Sequence, residues 1–569
     1  MNRLLVVLLV LLISLASFTT NAPAEDVLDV IPQDTLGFVV VPDIASMDSK
    51  ISEVAKLMKL PAPSVLMLAK LSAGVKAGLD NNGSMAVALV ENDDADMPVA
   101  PLFFLPTSDY PALIKSFEPE DATARIAKIT IGGAPGFAAK KGNYAIFAPP
   151  TSEDELKAAL DSPKNVAKSV ESLGDFIDDG DITLVATPGG VKLAATKVLD
   201  GIEVMKMLLA GAGEEAKTAV AGMAMYEKMF EYVKEHVTHF GLSLSVEMNG
   251  TCHLASRTLF DSQMQDPATP PANHERSSLA SLPDAPFVAA FHGDFPGGLS
   301  ESFMKMSAEM MKAYPGGEGL TDEHIKKIVK LSMQSMSGVK SMSFLLGVGD
   351  KDAPLYSNML LALTVDDAAE YLKKYEEVLN GMRAIGEAAK MPIYQFEKPK
   401  RIEHEGNSVL ELVMDISAFS GLKDPAFKDI MAKMFGADGK MRFYLSKADT
   451  HQVVGAYVSP KSLKRAFEAV KNPKTSLAAN EDVAKTTAML LEDPQWVVYI
   501  SPGGSIQFTN RMISTLLPPE LGIAVPEFPE SPPIGFAGKS SQSKVDTDLV
   551  VPASVLKAIG EYVEKVNAP

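Results

Sequence analysis

A strand, turn and helix unit that recurs along the chain constrains its fold more than any other feature. In the first copy, residues 36–41 form a short, valine-rich apolar run that Pro42 and Asp43 stop. Such a run, bounded by turn residues, predicts a buried strand. Apolar side chains then recur at steps of three and four, which predicts a helix packed on a sheet. That stripe consists of Ile44, Met47, Ile51, Val54 and Met58.

The unit returns at residues 181–209, 283–314 and 494–517, so it occurs twice in each half of the chain. The order of the strands and helices predicted between the copies also repeats, and an extra segment near residues 405–439 lengthens the second half. This repetition predicts an α+β fold of mainly antiparallel sheets covered by amphipathic helices. We interpret it as two diverged tandem-repeat domains.

Composition indicates where the two domains divide. Residues 266–278 contain three prolines and almost no large apolar side chain, which is typical of a linker. The sequence therefore predicts a first domain over residues 25–265, a linker over 266–282 and a second domain over 283–569. Residues 1–24 precede the first domain as a predicted signal peptide.

The N-terminus has the pattern of a secretory signal. Arg3 precedes fifteen uncharged, mostly apolar residues, Leu4–Phe18, and Ala22-Pro23-Ala24 matches the small-residue cleavage pattern. This apolar run is shorter than the roughly 20 residues that a membrane-spanning helix needs. We therefore predict an exported protein, periplasmic or extracellular, whose mature chain begins at Glu25 and has no transmembrane segment. Retention of the signal as a membrane anchor is the open alternative.

Charge and cysteine content restrict the partners. The net charge is −19, and no stripe of lysine and arginine alternates with aromatic residues. An acidic surface repels phosphate backbones, so the sequence predicts no nucleic-acid partner. Cys252 is the only cysteine, so the chain is disulfide-free and its stability depends on ordinary hydrophobic cores.

A hairpin is predicted at Asn249-Gly250, and two registers are open. A two-residue loop would place Val246 on the same face as His253. A three-residue loop with a left-handed Gly250 would instead pair Val246 with Cys252. We favour the second register, which turns Cys252 toward the core and His253 to the opposite face.

Pro-Gly-Gly occurs four times, and free backbone N–H groups at a helix start of this kind are able to hold an anion. The motifs are at residues 188–190, 296–298, 315–317 and 502–504. None is followed by the Gly-Lys-Ser/Thr of a phosphate-binding loop. We interpret them as turns, because Pro and Gly favour turns.

No set of polar residues has the pattern of a known active site. His236 and His239 could converge with Cys252 and His253 as metal ligands, but such spacing without a complete ligand set is weak evidence. His292-Gly293-Asp294 resembles an acid/base pair by residue type only, and the common nucleophile, zinc and dinucleotide motifs are absent. We therefore assign no catalytic, cofactor-binding or metal-binding residue and predict no cofactor.

Methionine is unusually frequent, with 29 residues, many of them in predicted helices. One interpretation is a core filled with adaptable side chains, and the other is a deformable apolar groove. We predict that two helical stripes are buried against sheet, namely Val191/Val198/Ile202/Met205 and Leu299/Phe303/Met306/Met310. We predict that a second contact or a groove contains the neighbouring Met207, Met304 and Met311.

Three stretches near the N-terminus resemble exported bacterial proteins known only as domains of unknown function. They are Ile31–Gly37, Leu60–Ser64 and Gly83–Leu89. The resemblance is strongest over residues 31–160. It implies an exported, repeated α+β protein and supplies no catalytic residue.

We interpret the chain as a non-catalytic structural or interaction module whose partner is an unknown protein or a hydrophobic ligand. Two alternatives stay open. One is a carrier of hydrophobic ligands in a methionine-rich groove, and the other is a hydrolase whose site has no recognisable motif. A buried cluster around His292 or His253 with perturbed pKa values would favour the hydrolase.

Overall fold

The computed structural model describes most of the chain. The described residues are 25–61, 64–92, 98–209, 214–261, 277–295, 304–305, 307–308, 319–389, 396–414, 425–436, 438, 440–518, 525–541 and 543–567. The predicted signal peptide and residues 266–276 of the predicted linker lie outside them.

The chain forms two compact units. The first contains the described parts of Met1–Leu199, Phe230–Met264 and Ser543–Glu561, and the second contains those of Asp200–Met229, Gln265–Gln542 and Tyr562–Pro569.

The first unit is an antiparallel sheet with helices on both of its faces. Its described strands are β1 Gly37–Val41, β2 Met85–Glu91, β3 Val99–Pro106, β4 Ile126–Ile131, β5 Ala134–Lys141, β6 Tyr144–Ala148, β7 Ile182–Ala186, β8 Val237–Val246, β9 Cys252–Phe260 and β19 Lys544–Val551. They pair in the order β4-β5-β6-β3-β2-β1-β7-β8-β9-β19. Its helices are α1 Glu25–Leu28, α2 Ile44–Leu57, α3 Val65–Ala73, α4 Tyr110–Lys115, α5 Glu153–Asp161 and α6 Gly174–Asp178, with a 3-10 turn at Glu171–Leu173.

Hydrophobic cores lie on the two opposite faces of this sheet. One core joins the sheet to α2, α3 and α4 and includes Ile44 and Leu113. The other joins it to α1, α5 and α6 and includes Leu156 and Ile177. Strand β1 is therefore buried on both faces, which explains why its sequence is continuously apolar instead of alternating.

Turn residues of the sequence start and stop these elements as predicted. Asp43 follows β1, and its carboxylate accepts hydrogen bonds from the N–H groups of Ala45 and Ser46 at 2.9 and 2.8 Å. This N-cap satisfies two free donors of the first turn of α2. In the β8–β9 hairpin, Val246 pairs with Cys252 and Gly250 is left-handed, with φ of +91°. The three-residue register is confirmed.

Three helices contain residues assigned to both units. They are α7 Pro188–Leu209, α8 Glu214–His236 and the C-terminal α15 Ala553–Asn567. In α7 the predicted stripe is buried only at its start: Val191 is 6% exposed, whereas Val198 and Met205 are 38% and 47% exposed. The prediction that this stripe packs on sheet is therefore wrong for Val198 and Met205.

The length of α7 gives the physical reason. Its 22 residues make a helix of about 33 Å. The preceding strand β7 has five residues and is about 17 Å long, so the helix is about twice as long as the strand it follows. The second predicted stripe, Leu299/Phe303/Met306/Met310, and the neighbouring Met311 lie outside the described residues. The neighbouring Met304 packs against the core that contains Ile328.

The second unit is also an antiparallel sheet with helices. Its described strands are β10 Phe287–Asp294, β11 Val339–Gly347, β12 Met359–Val365, β13 Lys400–His404, β14 Asn407–Met414, β15 Met441–Lys447, β16 Gln452–Tyr457, β17 Trp496–Ile500 and β18 Ile534–Ser540. Its helices are α9 Asp322–Met336, α10 Ala368–Ala389, α11 Pro425–Phe435, α12 Leu463–Lys471, α13 Glu481–Thr487 and α14 Pro502–Leu516. Short 3-10 helices occur at Ser277–Ser281, Pro460–Ser462, Pro473–Thr475 and Leu477–Ala479.

Eight strands of each sheet follow the same order. The first sheet contains β4-β5-β6-β3-β2-β1-β7-β8, and the second contains β14-β15-β16-β12-β11-β10-β17-β18. The second sheet adds β13 beside β14, and α11 lies in the predicted extra segment at residues 405–439. The predicted α+β class with antiparallel pairing is confirmed for the described residues.

Candidate functional site

A buried polar network surrounds His292 on β10. The Nδ1 atom of His292 lies 3.0 Å from Ser343 Oγ on the neighbouring β11, and its Nε2 atom lies 3.3 Å from Asp294 Oδ1. His292 and Ser343 are only 6% and 3% exposed. The residue types, with the imidazole between hydroxyl and carboxylate, match those of a serine hydrolase triad.

The position of this network in the sheet argues against catalysis. Ser343 pairs with His292 on one side and with Ala362 of β12 on the other, so its main chain lies between two strands, and its side chain is buried against the face of the sheet. A hydrolase also needs free N–H donors for an oxyanion, and the N–H groups of paired strands already take part in the ladder. The network instead satisfies buried polar groups. Ser343 was missed from the sequence because no motif connects it to His292.

A second polar cluster lies on one face of β9 and β19. His253 Nδ1 lies 3.4 Å from Asp548 Oδ2, and His253 Nε2 lies 3.3 Å from Glu247 Oε1. The hydrogen bond with Asp548 raises the pKa of His253 most, and burial opposes it. Both ring nitrogens face carboxylates, so the charged imidazolium is the form that donates to both.

The same face carries an arginine pair. Arg257 Nε donates to Asp546 Oδ1 at 2.8 Å, and the guanidinium carbon lies 5.1 Å from the centre of the Phe176 ring. Asp546 and Asp548 are two residues apart on β19, so both carboxylates point to this face. Aspartates at alternate positions of a strand are the sequence signal that indicates such charged pairing.

The histidine cluster gives a pH-dependent prediction. Because the pKa of His253 is raised in the folded chain, its contribution to stability is complete below its unfolded pKa, about 6.5, and is lost as the pH rises through its folded pKa. We expect His253→Gln to lower the free energy of unfolding more at pH 5.5 than at pH 8.5, by about 1 kcal/mol or less. Urea unfolding of both proteins at the two pH values measures this difference, and a loss that grows with pH would contradict it.

The four residues considered as metal ligands divide between the two ends of the β8–β9 hairpin. His239 pairs with Leu259, whereas Cys252 pairs with Val246 beside the loop. The strand from residue 239 to residue 246 is about 24 Å long, so these side chains do not converge. Among the described residues, no group of three or more His, Cys, Asp or Glu side chains is placed to hold a metal ion.

Cys252 has the wrong electrostatic environment for a nucleophile. Burial raises the pKa of its thiol, and the negative charge of Asp181 adds to this rise. The thiolate is the reactive form of cysteine, so a raised pKa disfavours attack at neutral pH. The Cys252 side chain is partly buried.

Two of the Pro-Gly-Gly motifs lie in the described residues, and each forms the first turn of a helix, α7 or α14. A Cβ atom on Gly190 would lie 1.8 Å from the carbonyl oxygen of Leu36, and one on Gly504 would lie 1.8 Å from that of Phe287. The second glycine therefore allows a helix start to pack directly on strand backbone. Outside the described residues lie the motifs at 296–298 and 315–317.

The C-terminal part of α7 and the middle of α8 expose large apolar side chains. We name this set the methionine surface, and it consists of Val204, Met205, Met207, Leu208, Tyr226 and Met229. Met207 and Leu208 are 64% and 70% exposed. An ion pair between Lys206 Nζ and Glu227 Oε2 joins the two helices. Each helix contributes exposed apolar side chains, and on α7 Val204 and Leu208 lie on the face opposite Lys206.

Neither the hydropathy of the helices nor a similarity to known proteins indicates the function of this chain. Within the part of the chain that the structure describes, no helix combines the length and the apolar character needed to cross a membrane. No family model, no curated protein and no solved structure matches this chain.

Proposed function

We propose that the protein is a non-catalytic interaction module that binds an apolar segment of a partner protein through the methionine surface. The observation that carries this proposal is the exposure of its six large apolar side chains on two adjacent helices. Burying one such side chain contributes roughly 1.5–3 kcal/mol, so covering several of them yields appreciable affinity. Neighbouring apolar side chains left in solvent are typical of interaction sites.

The residue types of the methionine surface support binding to polypeptide. Met205, Met207 and Met229 have flexible, polarizable side chains that adapt to different shapes. Methionine and tyrosine are also enriched in the cores of protein interfaces. A surface of this kind accommodates apolar segments without demanding one exact fit.

The charges beside the surface support the same class of partner. Lys206 and Glu227 neutralise each other, and their side chains are only 26% and 38% exposed. This pair therefore offers no net charge that would select an anionic lipid or a nucleic acid. An uncharged, apolar stretch of protein is the complementary partner.

The proposal includes two further features of the chain. One is export, for which the signal-like residues 1–24 are the support. The other is descent from a duplicated domain, for which the support is the shared order of eight strands and the shared Pro-Gly-Gly packing at Gly190 and Gly504. A repeated scaffold of this kind presents binding surfaces without needing an active site.

Substitution of the surface tests the proposal. The probe is a fluorescein-labelled amphipathic helical peptide of about 20 residues, made of Leu, Ala, Lys and Glu with no net charge. We expect Met207→Gln/Leu208→Gln/Met229→Gln to weaken peptide binding at least about tenfold, because truncating central interface residues costs more than about 1 kcal/mol each. Glutamine keeps the helix propensity and the side-chain length. Fluorescence anisotropy measures the dissociation constants.

A matched variant provides the control. Met67→Gln/Leu68→Gln/Leu71→Gln makes the same changes on α3, where these side chains are equally exposed. We expect it to bind the peptide as the unmodified chain does, because α3 offers these side chains on one helix, whereas α7 and α8 together offer the six of the methionine surface. Equal weakening by both variants would show non-specific binding to exposed apolar side chains and would contradict the assigned surface. Absence of peptide binding to the folded protein would also contradict it.

A further inference from the structure

A groove of about 410 Å³ lies between α9 and α10 in the second unit. This volume is within the range of about 300–1000 Å³ that small-molecule sites occupy. No methionine is among the described residues that line the groove. It is also separate in sequence and composition from the methionine surface.

Small residues of α10 create the groove. A Cβ atom on Gly381 would lie 2.9 Å from Leu331 Cδ1, so the two helices approach each other closely there. Ala384 is exposed and lines the groove on the α10 side, as Gly381 does. Its small side chain leaves space above the buried Ile385. The apolar bottom of the groove is continuous with the core that Ile385 forms with α9.

The wall supplied by α9 is basic. His324, Lys327 and Lys330 line it, and no carboxylate is among the described lining residues. Lys327 pairs with Glu323, but both side chains are more than half exposed, so this pair is weak and exchangeable. Lys330 forms no ion pair with any residue that the structure describes. A basic wall is notable in a chain whose net charge is −19.

We propose that this groove binds an anionic amphiphile with a single acyl chain. The ammonium groups of Lys327 and Lys330 hold the carboxylate or phosphate head, and Leu331 and Ile385 contact the chain. Charge complementarity selects the head, because a lysine is a compact point charge that pairs with either anion. Apolar burial of the chain supplies most of the affinity.

Competition of a fluorescent fatty acid, dansyl-undecanoate, tests this site on the full chain. We expect saturable binding that laurate and lysophosphatidate displace and that dodecyltrimethylammonium does not. Laurate reports a carboxylate head and lysophosphatidate a phosphate head, so their relative displacement decides which anion is preferred. Displacement by the cation as effectively as by either anion would overturn the proposal.

Two variants locate the binding in the groove. Lys327→Gln/Lys330→Gln is expected to weaken binding at least about tenfold, whereas the control Lys326→Gln/Lys373→Gln, at exposed positions outside the groove, is expected to change it less than about twofold. Ala384→Leu, at an exposed helical position that tolerates leucine, is expected to block the chain without unfolding the protein. Unchanged binding in both groove variants would overturn the assignment.

Discussion

Gly190→Ala and Gly504→Ala are expected to lower the free energy of unfolding by at least about 3 kcal/mol each. In each case the new methyl group would lie 1.8 Å from a backbone carbonyl oxygen, of Leu36 or of Phe287. No side-chain movement relieves a collision with backbone, so the helix must separate from the strand. Thermal unfolding measures the effect, at roughly 2–4 °C for each kcal/mol in domains of 150–250 residues.

The preceding glycine of each motif is the matched control. A Cβ on Gly189 would make an ordinary contact of 3.4 Å with Leu36, and one on Gly503 would meet nothing within 4 Å. Gly189→Ala and Gly503→Ala should therefore be neutral or stabilising by up to about 1 kcal/mol, since alanine favours helix. If Gly504→Ala and Gly503→Ala unfold at the same temperature, close packing on the strand does not explain the second glycine of the motif.

Arg511→Met is expected to cost about 3–5 kcal/mol. Arg511 of α14 is 8% exposed, and burial lowers the pKa of its guanidinium. Among the described residues, its guanidinium donates to main-chain oxygens of the segment between β11 and β12. The acceptors are Val348 at 2.6 Å, Pro354 at 3.0 Å, Leu355 at 3.3 Å, and Ala353. Methionine fills the volume but leaves these carbonyls without their donors.

A second arginine near the same segment separates this effect from loss of charge. Arg465 lies 3.5 Å from Asp350, and both side chains are well exposed, at 45% and 70%. Arg465→Met should change the free energy of unfolding by less than about 1 kcal/mol. Chemical unfolding of both variants makes the comparison. Similar losses would mean that the buried hydrogen bonds of Arg511 add little beyond a surface charge.

Local patterns predicted local structure well. The β8–β9 hairpin register followed from a left-handed glycine, and α11, Pro425–Phe435, lies in the extra segment that the sequence indicated near residues 405–439. Turn residues and apolar periodicity act over a few residues, so they are visible without knowledge of the fold.

Contacts between distant segments were not predictable in the same way. The stripe on α7 identified a helix face, but periodicity gives no information on how far a sheet extends beneath it, so the exposure of Met205 was not expected. The sequence does not distinguish Arg511 from other helical arginines, because its partners lie in the loop after β11, far away along the chain. Ser343 and His292 meet only because β10 and β11 pair. Each depends on strand order, which a single sequence constrains weakly.

Methyl NMR of the methionine-labelled protein during titration with the same amphipathic peptide, which has no net charge, tests the proposed function most directly. The methyl signals of Met207 and Met229 should shift as peptide is added, because both side chains belong to the methionine surface. The signal of Met67, equally exposed on α3, should stay unchanged. Peptide binding that shifts Met67 and leaves Met207 and Met229 unperturbed would contradict the account.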